Sequence, residues 1–391
     1  MPDVHARLSA SGAKRWMCCT PSVRLEEGFE EKSSTYAAEG TFAHSLAELI
    51  INYNAGTIKK TAYTKLFNKL KENEYYNQEL QDYVEDYTIK VWEFVNESKA
   101  KCKDVILLTE QRLDFSDYVP EGFGTGDVVI VADDEIHIID LKYGKGVGVS
   151  AEENPQLRLY GLGAVAAFDM IYSFDKVKTT IIQPRLENVS SELLTVSELK
   201  NWGENIVKPL ARLAMIGEGE FVAGDHCKFC KARATCRARA EANLELTKME
   251  FANPDILSDE EIGEVLKQAG YLADWVKDIT EYALEEAING KKWDGWKLVE
   301  GRSNRKYTDE IKVVDTLKTA GYDEAILFEK KLYGITAMEK LVGKKNFTQL
   351  LNELIEKPQG KPTLVDASDK RPELNSVQSA HDDFAEEVTP S

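Results

Sequence analysis

The segment GTGDVVIVADDEIHIIDLKYGKG, residues 124–146, constrains this chain more than any other stretch. Two alternating, β-branched runs flank Asp133 and Asp134, and this pattern predicts an antiparallel hairpin with a two-residue turn. Centring the turn there sets Asp127 across from Asp140, on one face, with Cβ atoms roughly 4.5–5.5 Å apart. Lys142 stands two residues past Asp140, so strand alternation gives it the same face. Two carboxylates that close repel each other and need compensation. A divalent cation supplies it, and oxygen ligands suit Mg²⁺ or Mn²⁺. A lysine beside the ion can orient or deprotonate a water, or stabilise charge developing on a phosphate. Hydrolysis of a phosphodiester is the chemistry that fits. A surface hairpin with scattered charges is the plain alternative for D-x-K alone. Apolar flanks on both strands and the facing register count against it.

The surrounding pattern is α/β. Helical periodicity runs through Phe42, Leu46, Leu49, Ile50 and Tyr53, and again through Leu80, Tyr83, Val84, Tyr87, Val91 and Phe94. Strands are expected over Val105 to Leu113, Asp127 to Val131 and Glu135 to Leu141. A helix follows over Asn154 to Phe168, with Pro155 in its first turn, and then a strand over Val177 to Pro184. From Val196 helices return, interrupted by a cysteine segment at 227–236. Residues 258–289 read as one long helix or a broken pair, and Trp296 to Glu300 as a short strand. Beyond Lys361 the composition is polar, Pro-containing and acidic, the pattern of a disordered tail. The expected organisation is 1–245, 246–360 (mainly helical) and 361–391 (disordered).

No apolar run approaches a membrane span and the N-terminal stretch has no signal-peptide character, so a cytoplasmic location is expected. The net charge of −18 argues against a protein coated in positive charge. It leaves room for a nuclease, because bound cations and a local basic face can meet phosphates. Between His226 and Ala240 the charged residues are Lys228, Lys231, Arg233, Arg237 and Arg239, with no acidic residue among them. That excess marks a candidate DNA-backbone contact; a solvated surface is the ordinary reading of short charge runs. GRSNRKY, 301–307, is a lesser candidate.

Gln156 and Tyr160, spaced i, i+4, share a helix face from which they can position the lysine, a water or a phosphate. In order, G-T-G-D at 124–127, D-L-K at 140–142 and Q-x-x-x-Y at 156–160 resemble the RecB-type branch of the PD-(D/E)XK nucleases. The resemblance implies a mixed central sheet flanked by helices, with Asp127 and Asp140 on the metal and Lys142 catalytic. It also implies a histidine ligand on an N-terminal helix, which His44 in EGTFAHSLAEL supplies. Glu110, in LLTEQRL on the preceding strand, is a weaker candidate for the same site.

Cys227, Cys230 and Cys236 form C-x2-C-x5-C, preceded by His226. Three thiolates need a fourth ligand for either a zinc site or a [4Fe–4S] cluster. His226 or the Cys18–Cys19 pair can supply it, while Cys102 reads as an incidental buried thiol. The arrangement resembles the iron–sulfur nucleases of the RecB type, AddB and the CRISPR-associated exonucleases among them. In these one cysteine precedes the core and three follow it. Phage-encoded relatives place a Trp three positions before the first ligand, which selects Cys19 after Trp16 and leaves Cys18 as a buried bystander. The implied cluster is structural, with zinc as the alternative, and the lobe holding it is helical. The resemblance further implies a phage or prophage protein, in a bacterial host, degrading DNA from its ends during replication or recombination alongside other proteins of those processes. A non-catalytic DNA-binding or assembly module and a zinc-binding regulator are the rival readings.

Overall fold

The computed structural model describes residues 6–30, 35–144, 148–245, 259–301, 303, 305–329, 331–356, 362–366 and 373–374. The chain forms two compact units, Met1–Leu272 and Ala273–Ser391, so the long helix Asp259–Ile288 runs across the boundary. It is one continuous helix.

A five-stranded sheet organises the first unit, with strands β1 (Ile106–Asp114), β2 (Phe123–Val131), β3 (Glu135–Leu141), β4 (Lys176–Gln183) and β5 (Asn188–Thr195) adjacent in chain order. All neighbours are antiparallel except β3 and β4, which run parallel. The β2–β3 hairpin has the register the turn dictates, Val128 opposite Ile139 through Val131 opposite Ile136. The Ala132 N–H donates to the Glu135 carbonyl at 3.0 Å and closes the Asp133–Asp134 turn.

Helices cover both faces: α1 (Ala13–Cys18), α2 (Ser22–Glu26), α3 (Thr35–Asn54), α4 (Lys60–Lys71), α5 (Gln78–Lys101), α6 (Pro155–Phe168), α7 (Val196–Trp202), α8 (Lys208–Ile216) and α9 (Arg237–Glu245). Strand alternation sorts the apolar side chains between them. Val129, Val131, Ile136 and Ile138 pack with Leu157 and Leu162 of α6, Ala211 of α8 and Trp16 of α1. Val128, Ile130, Ile139 and Leu141 pack with Leu46 and Ile50 of α3 and Val84 and Val91 of α5. With both faces covered, β3 is buried at every position after Glu135. Among the described residues no helix is long and apolar enough to cross a membrane.

The N-terminal helices are tied to the cysteine segment. The Arg15 guanidinium lies 2.7 Å from the Glu26 carboxylate, both largely buried, and Glu26 also accepts the Lys231 backbone N–H at 2.6 Å. Thr20 donates to the Glu218 carbonyl at 2.6 Å. Gly217, at φ +78°, ends α8 in the left-handed conformation this turn requires.

In the second unit Val313, Leu317, Leu327, Met338, Phe347 and Leu351 form a small core. The expected strand at Trp296–Glu300 is present, and its partner corrects the reading of the tail. Pro362–Asp366 pairs with it antiparallel, and Leu374 N donates to the Leu298 carbonyl at 2.7 Å. The alternating Thr363–Leu364–Val365 run satisfies an otherwise open strand edge, an effect that average composition does not register. The rest of the expected disordered segment, 367–372 and 375–391, lies outside the described residues.

Candidate functional site

The β2–β3 ladder stops at Val128–Ile139, and the next position toward the open end holds Asp127 and Asp140. There the Asp127 Oδ2 replaces a main-chain acceptor, taking the Leu141 N–H at 2.7 Å, while its Oδ1 lies 3.1 Å from His44 Nδ1. His44 sits mid-helix in α3, inside the stripe that packs on the sheet. Asp140 is buried, with Oδ1 accepting from Gln156 Nε2 at 3.3 Å and Oδ2 2.9 Å from the Lys142 ammonium. The latter is an ion-pair contact without a well-directed hydrogen bond. Lys142 also donates to Gln156 Oε1 at 3.1 Å, and its backbone N–H bonds the Ile182 carbonyl at 2.9 Å, extending the β3–β4 pairing.

Gln156 is aimed by the start of α6. Asn154 caps that helix, accepting the N–H groups of Gln156 and Leu157, with Pro155 in the first turn. Gln156 Nε2 reaches the Tyr160 hydroxyl at 3.3 Å. Tyr160 in turn lies against Gly124, where an added Cβ would meet its ring at 2.6 Å. The first glycine of G-T-G-D is thus a site of close approach.

Glu110 joins from β1. The β1–β2 ladder pairs Thr109 with Val128 and Gln111 with Gly126, passing over Glu110 and Asp127 between them. Glu110 adopts φ +48°, unusual for a non-glycine residue. One ligand atom each from His44, Glu110 and Asp127 lie within 4.8 Å of one another. Glu48 and Tyr87 line the same small cavity. Neither was expected from sequence, although Glu48 stands one helical turn after His44. Tyr87 reads as one more member of the apolar stripe of α5.

Opposing effects set the charges. Burial disfavours the His44 imidazolium, but the adjacent Asp127 carboxylate outweighs it and raises the pKa to about 9. Burial lifts Glu110 to about 7, reinforced by Asp127. Asp140 is raised chiefly by burial, against the pull of Lys142. Lys142 is raised despite its burial, because Asp140 faces it, and it is therefore charged near neutrality.

These donors suit a hard divalent cation. Bonds of about 2.1 Å to such an ion put neighbouring ligand atoms roughly 3–4 Å apart, which the His44, Glu110 and Asp127 atoms, all within 4.8 Å of one another, can reach by small side-chain adjustments. The buried Tyr87 hydroxyl has no hydrogen-bond partner, an open donor that ion-bound water would satisfy.

A second cavity is lined by Cys19, Cys227, Cys230 and Cys236, with Arg15, Arg233 and Arg239 around it. Cys18 does not line it and is exposed, correcting the expectation of a buried bystander: α1 turns its side chain outward. Cys102 is buried, its thiol directed at the Asp104 carbonyl. His226 lines the cysteine cavity, but its Nε2 is engaged with the Val222 carbonyl at 2.8 Å. Burial pushes the Cys230 thiol up to about 12, unsuited to a free nucleophile. Of the basic residues nearby, Lys228, Lys231 and Arg237 are exposed, Arg233 is half-buried, and Arg239 is buried with a hydrogen bond to the Arg233 carbonyl.

Fold and site together define a mixed α/β protein with a histidine–carboxylate–lysine centre on the open end of a hairpin. The chain belongs to the family described as "Protein of unknown function (DUF2800)", whose model matches residues 5–372. Among solved structures, one described as "Crystal structure of SSO0001" is similar over 59% of this chain and 85% of its own, with 14% identity and a TM-score of 0.26.

Proposed function

We propose that this protein is a divalent-cation-dependent nuclease of the PD-(D/E)XK class that hydrolyses phosphodiester bonds in DNA. The observation that carries the reading is that the open end of the hairpin holds Asp127 against His44 and Asp140 against Lys142, with Gln156 bridging the last two. His44, Asp127 and a further carboxylate would hold Mg²⁺ or Mn²⁺, which supplies Lewis acidity toward the phosphate and a more acidic water. Lys142, kept charged by Asp140, is a cation positioned to stabilise negative charge accumulating on the phosphate. Gln156 and Tyr160 hold that lysine in place. Exposed Lys228, Lys231 and Arg237 offer phosphate contacts in a chain otherwise acidic.

The four cysteines around one cavity support a [4Fe–4S] cluster joining α1 to the segment after α8. A zinc ion with bonds of about 2.3 Å draws its thiolates to about 3.8 Å from one another. A [4Fe–4S] cluster binds each thiolate at a separate iron and so takes a wider thiolate spacing than zinc. Exonuclease action in phage DNA replication or recombination follows from the same resemblance. The test is digestion of end-labelled single- and double-stranded DNA with Mg²⁺, Mn²⁺ or EDTA. Cation-dependent shortening of the labelled strand is expected; intact DNA under all conditions would refute the reading.

A further inference from the structure

Asp127, Asp140 and Glu110 all stand at the open end of the hairpin, and their present commitments differ. Asp140 faces the α6 side of the sheet, its Oδ1 accepting from Gln156 and its Oδ2 ion-paired with the Lys142 ammonium without a directed hydrogen bond. Glu110 is not held in that way. Its backbone leaves the strand ladder beside Asp127 in a left-handed conformation that non-glycine residues rarely adopt, and its carboxylate falls in with His44 and Asp127. Beneath these lies Tyr87, nearly inaccessible, its hydroxyl without a partner and its ring lining the same cavity of about 10 Å³. An unpaired buried donor is costly, and that space is close to what a single water needs.

We infer that the primary cation site is His44, Glu110 and Asp127 on the α5 side of the sheet, with the Tyr87 phenol hydrogen-bonding a water on the ion, and that Asp140 stays with Lys142. This rests on the nuclease reading only for the presence of a divalent cation. It separates two tasks along one hairpin: Asp127 faces the ion, and Asp140 sets the charge and position of the lysine. Tyr87 is a positioning residue, acting through the water it holds.

The experiment is a Mn²⁺ titration of the full chain, followed by electron paramagnetic resonance of the free ion. Melting curves without metal serve as the folding control. Glu110→Gln keeps the side-chain size and should weaken Mn²⁺ binding by tenfold or more. Asp140→Asn should change it less than threefold. Tyr87→Phe keeps the packing and should weaken it by about three- to tenfold, below the usual range for outer-shell partners because a water intervenes. Equal loss in Glu110→Gln and Asp140→Asn, or loss in Asp140→Asn alone, overturns the assignment, as does wild-type protein that takes up no Mn²⁺. Unchanged affinity in Tyr87→Phe overturns the role of the phenol. DNA digestion by the same preparations separates this failure from that of the nuclease reading, since cleavage with retained Mn²⁺ uptake in Glu110→Gln would sink the ligand set alone.

Discussion

Replacing Glu26 with alanine should loosen the junction between the N-terminal helices and the cysteine segment. Glu26 is buried, faces Arg15 at 2.7 Å and accepts the Lys231 N–H at 2.6 Å. Removing one member of a buried ion pair costs about 3–5 kcal/mol, because the other charge is left behind. Arg15 is one-fifth exposed and keeps a hydrogen bond to the Phe229 carbonyl, so the lower end applies. The Lys231 N–H lies at an exposed residue where water can replace the carboxylate, adding at most about 1 kcal/mol. The sum, about 3–4 kcal/mol, corresponds to a fall in Tm of roughly 6–16 °C for a unit of this size. Glu26→Gln keeps an acceptor for Lys231 and should lose about half as much. Differential scanning calorimetry is the assay, with the transition of the first unit as readout. A Glu26→Ala protein melting within 2 °C of wild type would refute the reasoning.

Further outcomes concern the core, the site and the cysteines. His137 is buried with Nε2 2.7 Å from Thr180 Oγ1, and burial holds its pKa well below the usual value. The folded protein keeps it neutral while the unfolded chain protonates near pH 6.5, so its contribution is present above that pH and lost below it. Stability should drop by about 1.4 kcal/mol per pH unit below 6.5, and denaturant titrations at pH 7.5 and 5.5 should show less of this drop in His137→Gln. Gly124→Ala, which forces a Cβ against the Tyr160 ring, should cost about 1–3 kcal/mol in urea melts and reduce cleavage. Cys19→Ser or Cys227→Ser should remove absorbance near 400 nm from anaerobically purified protein and lower its Tm, whereas Cys18→Ser should do neither.

The hairpin and its register were legible because a polar dipeptide between two alternating runs admits one centring, and a slip by one residue would turn every valine and isoleucine to the wrong face. The same geometry set Asp127 across from Asp140, but alternation put both on one face, whereas Asp127 turns to His44 and Asp140 to Gln156 and Lys142. Strand β5 went unread since Asn188–Thr195 mixes serines with exposed Val189 and Leu193, the composition of an edge strand. The division at Leu272–Ala273 was not visible either, because it falls within a continuous helix. Tyr87 was hidden in the site for another reason: periodicity reports which side of α5 faces the sheet, and a buried tyrosine satisfies that pattern whether or not its hydroxyl finds a partner. Glu110 depends on a left-handed backbone at one strand position, which nothing in its neighbours announces.

The most direct measurement is cleavage of end-labelled DNA in Mn²⁺ by wild-type protein beside Asp140→Ala and Lys142→Ala, each checked for folding by circular dichroism. Robust cleavage by the wild type, falling by about 10²-fold or more in both folded variants, is the predicted result. Undiminished cleavage by either variant would contradict the placement of the chemistry at the open end of the hairpin.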